Sequence, residues 1–421
     1  MRLVRFSGFL QDSVAARLGL LRSLTLILSC LLFARPVFAQ QSSDIAAIRG
    51  EVTRLRQELD ALEARLAALE GNSPPLSVTA QPAQLPEPQT AAPAGGLAAA
   101  SKVFNPDTSV LTNFVGVAGK NPASDQPSLQ LTEVEAAFQA DVDPYARADF
   151  FLSAGPEGLE VEEGFLTFTT LPGHLLLKVG KMRAQFGKVN TLHTHLMPTA
   201  DRPLVTENLV GGEEGISDSG LSLSKLIANP FLYVEATGEV FRGNSNVFQS
   251  PQRSKLNYVG RLRVYRDLTE GSNLDVGGSV ASGPTNIGPG LSKQLVGFDA
   301  TFRYRPLRRS IYKRFQARTE LFWSRQNMPL AAQQRAFGYY GLGEYQFARR
   351  WYFGGRYDES ERALDAALRD RGGSLFLTYW PSEFSQLRGQ YRRTNYGEGV
   401  NANELLFQAS FAIGAHGAHV F

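Results

Sequence analysis

Hydrophobic and polar residues alternate with a period of two along most of the chain after about residue 109. Val296, Phe298 and Phe302, for example, alternate with Asp299 and Arg303. Because successive side chains of a strand point to opposite faces, this alternation predicts strands with one apolar and one polar face. Each alternating segment runs for roughly ten residues, which is the length that crosses a bilayer at a tilt.

The pattern predicts sixteen strands, which fall near 109–119, 129–141, 144–153, 159–169, 174–182, 219–226, 231–241, 256–266, 272–282, 295–305, 313–325, 337–346, 350–358, 373–380, 384–393 and 404–413. Connections after even-numbered segments are short. Those after odd-numbered segments are longer, with 154–158 as the exception. Such parity places the long loops at one end of a barrel, whereas a β-sandwich has no reason to sort its loops.

These observations predict the fold class: all-β, a closed antiparallel transmembrane β-barrel of about 16 strands over residues 105–421, preceded by an N-terminal α-helical coiled coil. Strands that face lipid leave no edge unpaired, so the sheet closes on itself. At sixteen strands the interior is too wide for wall side chains to fill, and an aqueous channel is expected.

A different period precedes the strands. Apolar residues from Ile45 to Leu69 are spaced three and four apart, which predicts a coiled coil within 40–71. A single amphipathic helix on some surface is the alternative, but self-association fits a chain with no second helix to cover the seam. Residues 72–104 are rich in Pro and Ala and predict an extended linker.

The first 39 residues are typical of a secretory signal peptide. An apolar core at 24–33 is followed by Val37-Phe38-Ala39, a small-residue cleavage site. A lipoprotein signal at Cys30 is the alternative, but apolar residues continue after it. Cys30 is the only cysteine, so cleavage after Ala39 leaves an exported chain without disulfides. We expect the barrel in the outer membrane of a diderm bacterium and the coiled coil in the periplasm.

The net charge bears on one class of function, nucleic-acid binding. The formal net charge is +3, but residues 1–39 hold five Arg against Asp12, a net +4, so the remainder carries −1. This near-neutral balance does not indicate a nucleic-acid-binding surface.

One stretch carries a family resemblance. It runs from Val179-Gly180-Lys181 to Asp201-Arg202-Pro203 and includes Phe186-Gly187-Lys188 and Leu192-His193-Thr194-His195. The sequence of this stretch resembles that of the phosphate-selective porin O/P-like group of outer-membrane porins, as does the sequence of the chain end, 411–421. The resemblance implies a sixteen-stranded, often trimeric porin in outer-membrane lipid, without implying phosphate specificity. The final Phe421 suits the signal read by the barrel-assembly machinery.

In sixteen-stranded porins the loop after the fifth strand folds into the barrel, and here that connection, 183–218, is the longest. The pore residues predicted from this loop and from the inward strand faces are Lys181, Arg183, Lys188, Arg202, Arg261, Arg263, Arg303, Arg318, Arg356 and Arg388. One interpretation is an anion-preferring pore in which these cations guide the solute. The alternative is a mixed-charge lumen in which they pair with Asp299, Glu320, Glu344 and Asp358.

Other chemistry is weakly indicated. His193 and His195, with Met197, form only a weak metal signal, so we expect no metal and no cofactor. Residues 215–219 miss the Gly-x-Ser-x-Gly motif by their last residue, and no enzyme is expected. The expected function is a porin for passive diffusion of small hydrophilic solutes or ions. The alternative is a barrel that tethers the envelope through its coiled coil, bound to a periplasmic partner or to peptidoglycan.

Overall fold

The computed structural model describes Arg54 and residues 106–414, apart from 125, 251, 286, 289 and 330–332. The predicted signal peptide, coiled coil and linker therefore lie outside the described residues, except for Arg54. The chain end at 415–421 also lies outside them. Predictions for these segments stay predictions.

Within the described ranges, sixteen antiparallel strands close into one barrel, each paired with its sequence neighbours and β1 paired with β16. The strands are β1 (Asp107–Lys120), β2 (Leu129–Asp143), β3 (Ala146–Gly155), β4 (Gly158–Leu171), β5 (Leu175–Arg183), β6 (Ser217–Ile227), β7 (Tyr233–Phe241), β8 (Asn257–Thr269), β9 (Ser272–Pro284), β10 (Ser292–Tyr304), β11 (Arg314–Gln326), β12 (Gln334–Ala348), β13 (Trp351–Glu361), β14 (Arg369–Ser382), β15 (Ser385–Asn395) and β16 (Asn401–Gly414). The predicted closed antiparallel barrel and its strand count are confirmed, and each predicted strand overlaps an observed one, whereas the N-terminal coiled coil stays a prediction.

The two faces of the wall have opposite chemistry. Large apolar side chains are exposed on the outer face, including Leu223, Tyr258, Val280, Phe298, Trp323, Phe353, Leu375, Tyr391 and Leu405. Polar side chains are buried on the inner face, including Asn257, Ser279, Asp299, Glu320, Thr378, Gln390 and Gln408. This is the reverse of a water-soluble protein and the pattern of a barrel whose outer face meets lipid. Among the described residues, no helix is long and apolar enough to span a bilayer.

The connection between β5 and β6, residues 184–216, folds against the inner wall, and we call it the inner loop. It contains two single-turn 3₁₀ helices (Val189–Thr191 and Thr194–Leu196) and a short helix, α1 (Leu204–Val210), which ends at left-handed Gly211. α1 lies against β11 to β14. The loop therefore occupies space that wall side chains cannot fill in so wide a barrel.

An apolar core joins the inner loop to the wall. The loop contributes Ala184, Phe186, Val189, Met197, Val205, Leu209, Val210 and Ile216, and the wall contributes Phe165, Met182, Phe241, Val259, Leu295, Phe322, Tyr340 and Phe376. The rings of Phe186 and Phe322 have centroids 5.2 Å apart. Burial of this apolar surface at about 25 cal/mol per Å² holds the loop inside the barrel.

Candidate functional site

The first anchor of the inner loop is a tight turn at Gly187. The Glu320 carboxylate accepts hydrogen bonds from the backbone N–H groups of Lys188 (3.1 Å) and Val189 (2.8 Å). Tyr340 Oη donates to the same oxygen at 3.1 Å. From β8, the Arg261 guanidinium donates to the Gly187 carbonyl at 2.5 Å. Buried wall side chains therefore form the hydrogen bonds that the backbone groups of this loop would otherwise lack.

Gly187 is required at this turn for two reasons. Its φ is 65°, and a Cβ built there would lie 2.6 Å from a Glu320 oxygen and 2.8 Å from the Phe322 ring. We expect Gly187→Ala to destabilise the protein by about 2–4 kcal/mol, because left-handed strain and overpacking add. Gly173→Ala is the matched control: its φ is 75°, but nothing lies within 4 Å of its Cβ position. Thermal unfolding of the two variants measures the difference, and equal melting temperatures would contradict the tight turn.

The middle of the loop is held by a cluster of carboxylates on β2 and β4. His193 Nδ1 lies 2.6 Å from Glu135 Oε2, and its Nε2 lies 2.8 Å from Glu163 Oε2. Burial opposes protonation of His193, but hydrogen bonds to Glu135, Glu162 and Glu163 outweigh it and raise the pKa of His193 well above its usual value. Both ring nitrogens therefore donate to carboxylates, which accept only.

The far end of the loop is anchored by Asp201. Its carboxylate lies 2.8 Å from Arg356 Nη2 and 2.9 Å from Arg392 Nη1, and it accepts a hydrogen bond from Gln390 at 2.5 Å. Burial alone would raise the pKa of Asp201, but the two guanidinium groups hold it well below its usual range. Arg356 also pairs with Asp358 at 2.7 Å, so this anchor joins the loop to β13 and β15.

Below the loop lies a cavity of about 320 Å³ between the loop and the strands from β9 to β15, which we call the basic vestibule. Its loop side is formed mainly by residues 191–198. Among its described lining residues the cationic side chains are Lys188, Arg303, Arg305, Arg314, Arg318 and Arg388. The same lining contains one carboxylate, Glu344. Like charges around a concave, low-dielectric surface add to a positive potential that attracts anions.

Nine of the ten predicted pore residues separate into three groups. Lys188, Arg303, Arg318 and Arg388 line the basic vestibule. Arg261, Arg263 and Arg356 face inward but are paired with Asp299, Asp275 and Asp358. Arg183 and Arg202 are buried inside the loop assembly: Arg183 pairs with Glu162, and Arg202 donates to the carbonyls of Val189 and Leu192. Burial lowers the pKa of Arg202 to about 10.

Lys181, the tenth predicted pore residue, lies apart from these groups. By alternation it shares one face of β5 with Val179, which is exposed, whereas the next residue, Met182, faces the internal core. Its ammonium donates to the Val161 carbonyl and lies beside Glu214, away from the vestibule.

Sequence reasoning also missed two vestibule cations, Arg305 and Arg314. Extending the alternation would have found both. Arg305 continues the face of Arg303, and Arg314 begins the face that carries Arg318.

Comparisons with known proteins bear on the fold. No protein-family model matches the chain. An uncharacterized protein of Aquifex aeolicus is 29% identical over 341 residues, which cover 71% of each chain. Three solved structures share the architecture. They are a loop-deletion form of OmpT from Vibrio cholerae (TM-score 0.51, 11% identity, 74% of this chain and 100% of that one), the outer-membrane channel DcaP of Acinetobacter baumannii (0.50, 12%, 73% and 96%) and Salmonella typhi OmpF in complex with daunomycin (0.51, 10%, 74% and 99%).

The chain has the barrel fold of these outer-membrane proteins. The similarities cover most of the chain and nearly all of each solved structure, so they extend over the entire barrel. At 10–12% identity they show the fold and do not reach the phosphate-selective group that the sequence resembles.

Proposed function

We propose that this porin-like barrel is an outer-membrane channel for passive diffusion of small hydrophilic solutes, with a preference for anions. The observation that carries the proposal is the basic vestibule, where six cationic side chains face one carboxylate among the described lining residues. Solutes that pass the inner loop meet this surface. A positive ring in a low-dielectric wall lowers the energy of an anion and raises that of a cation.

Two of the vestibule guanidinium groups, those of Arg318 and Arg388, form no ion pair within the described part of the chain. Arg318 Nε and Nη1 have no hydrogen-bond partner within the described part of the chain. Arg388 donates hydrogen bonds to Thr378 and Gln408, both of which are neutral. The mixed-charge alternative draws on the paired Arg261 and Arg356 of the wall, and Lys188 and Arg303 of the cavity lie 3.4 Å and 3.9 Å from Asp275.

The exposed apolar outer face supports a place in outer-membrane lipid. One form of Vibrio cholerae OmpT is a trimer, and for this chain we propose a homotrimer as well. Residues 40–71 would add a periplasmic coiled coil to that assembly, after a signal peptide at 1–39 and before a linker at 72–104. Barrel-assembly machinery would insert the chain.

The test is electrical. We expect the purified full chain in a planar bilayer, across a KCl gradient, to give a reversal potential that favours chloride. The preference should weaken between 0.1 M and 1 M KCl, because the Debye length falls from about 10 Å to about 3 Å. Cation preference would contradict the anion proposal, and a folded, heat-modifiable barrel without conductance would contradict the channel.

The tethering alternative has a separate test. Deleting residues 40–100 should leave the conductance unchanged if the barrel is the functional unit. Loss of envelope attachment with no change in solute uptake would favour the tether.

A further inference from the structure

The buried cluster that holds the middle of the inner loop has the composition of a metal site. His193 and His195 approach from the loop, and Glu133 and Glu135 approach from β2. The ligand atoms of Glu135, His193 and His195 all lie within 4.8 Å of one another, and those of Glu133, Glu135 and Glu162 do as well. All five side chains are buried. We propose that this cluster binds one borderline divalent cation, Zn²⁺ or an ion of similar preference, which fastens the inner loop to β2.

The spacing of the ligand atoms fits such an ion. Around tetrahedral Zn²⁺, with bonds of about 2.0–2.2 Å, neighbouring ligand atoms lie about 3.4 Å apart. His195 Nδ1 lies 3.5 Å from Glu133 Oε2 and 3.9 Å from Glu135 Oε2. His193 Nδ1 lies 3.4 Å from Glu162 Oε2, and it lies closer, at 2.6 Å, to Glu135 Oε2, since a proton lies between those two atoms. Zn²⁺ takes the place of that proton, which leaves to solvent.

The surroundings orient the ligands as metal sites require. His193 Nε2 is held by Glu163 at 2.8 Å, which leaves Nδ1 directed at the cluster. A carboxylate on the distal nitrogen is the usual partner of a metal-bound histidine, because it fixes the tautomer and raises ligand basicity. Arg183 holds Glu162 in the same way.

The charge balance of the cluster and the hydrogen bonding of its carboxylate oxygens both favour the binding of a cation. Glu133, Glu135, Glu162 and Glu163 carry four formal negative charges against Arg183 and a protonated His193. Glu133 Oε2 receives no hydrogen bond from the described residues, and only 7% of the Glu133 side chain is exposed to solvent. A buried carboxylate oxygen without a donor is costly unless a cation compensates it. Two imidazoles among the ligands favour Zn²⁺, Ni²⁺ or Cu²⁺ over Ca²⁺ or Mg²⁺, which prefer oxygen alone.

The experiment uses the full chain in detergent, stripped with chelator and loaded with Zn²⁺. We expect one zinc per chain after gel filtration, with two imidazole ligands by X-ray absorption. Glu133→Gln and His195→Gln should each weaken binding about tenfold or more, and Glu163→Gln about tenfold through His193. Glu133→Gln is isosteric and removes no hydrogen bond to its Oε2, so heat modifiability should confirm a folded barrel.

Two controls separate this site from other histidines. His174→Asn removes an exposed imidazole from the turn before β5, at φ 57° where Asn is tolerated, and should leave binding unchanged. Replacing His416 and His419 together should also leave it unchanged. The inference is overturned if the folded chain retains no zinc, if Glu133→Gln and His195→Gln bind like the parent, or if binding is lost with His416 and His419. It does not depend on the proposed channel function.

Discussion

Reversing three charges in the basic vestibule, with Arg305→Glu, Arg314→Glu and Arg318→Glu together, is expected to invert the ion preference of the channel. Six cations and one carboxylate give the described lining a formal excess of five positive charges. After the substitutions three cations would face four carboxylates. Because the selectivity of a charged ring follows its sign, the reversal potential in a KCl gradient should change from favouring chloride to favouring potassium.

The matched control makes the same change in charge away from the vestibule. Arg253, Arg325 and Arg335 are exposed and do not line the cavity, so their replacement by Glu should leave the reversal potential nearly unchanged. If both triple variants shift the potential equally, then overall charge and not the vestibule sets selectivity. An unchanged potential in the vestibule variant would show that solutes pass elsewhere in the barrel.

The wall could be predicted from sequence because lipid and water impose a strict period on it. Along β11, Trp323 is exposed on the outer face, while Arg318 and Glu320 are buried inside. A single segment carries that contrast within itself, so local alternation is enough to predict the strand. Phe322 breaks the rule, since it lies on the inner face and packs on Phe186. Its partner comes from a loop more than a hundred residues earlier, which no local pattern reveals.

The candidate site was harder to predict from the sequence, because the residues in contact there are far apart along the chain. The basic residues of the loop could be picked out in the sequence, but the buried contacts of Arg202 with the Leu192 carbonyl and of Arg183 with Glu162 could not. The two histidines gave only a His-x-His spacing in sequence. Their carboxylate partners come from β2 and β4, some 30 to 60 residues upstream, with Glu135 58 residues from His193. Burial decides which of these charges attract a solute, and burial depends on the closed barrel.

The anchors of the inner loop explain how a buried, polar lumen tolerates so many ions. Arg261, Arg356 and Glu320 each bind loop backbone groups as well as wall partners. The wall charges are therefore compensated by the loop, and the loop's backbone is compensated by the wall. Neither surface is satisfied alone, so removing one anchor should release a segment and leave wall charges unpaired.

Asp201→Ala should therefore release the far end of the loop and raise single-channel conductance, with frequent fluctuations. It removes the carboxylate between Arg356 and Arg392, and the Arg356 side chain is only 1% exposed. Breaking a buried ion pair costs about 3–5 kcal/mol, and the lower end applies because Asp358 and Glu404 keep the two guanidinium groups partly compensated. Thermal unfolding, bilayer recordings and proteolysis within residues 184–216 measure the three consequences.

Two comparisons and one pH series test that assignment. Asp201→Asn retains an acceptor oxygen and should give an intermediate effect, whereas Asp267→Ala, at an exposed position, should give none. Because the pKa of Asp201 is lowered on folding, its contribution is present above the unfolded pKa of about 4 and is lost only as pH falls through the folded value. Conductance of the parent should stay constant from pH 8 to about pH 5. A parent that opens within that range, or an Asp201→Ala channel of parental size, would show that other contacts hold the loop.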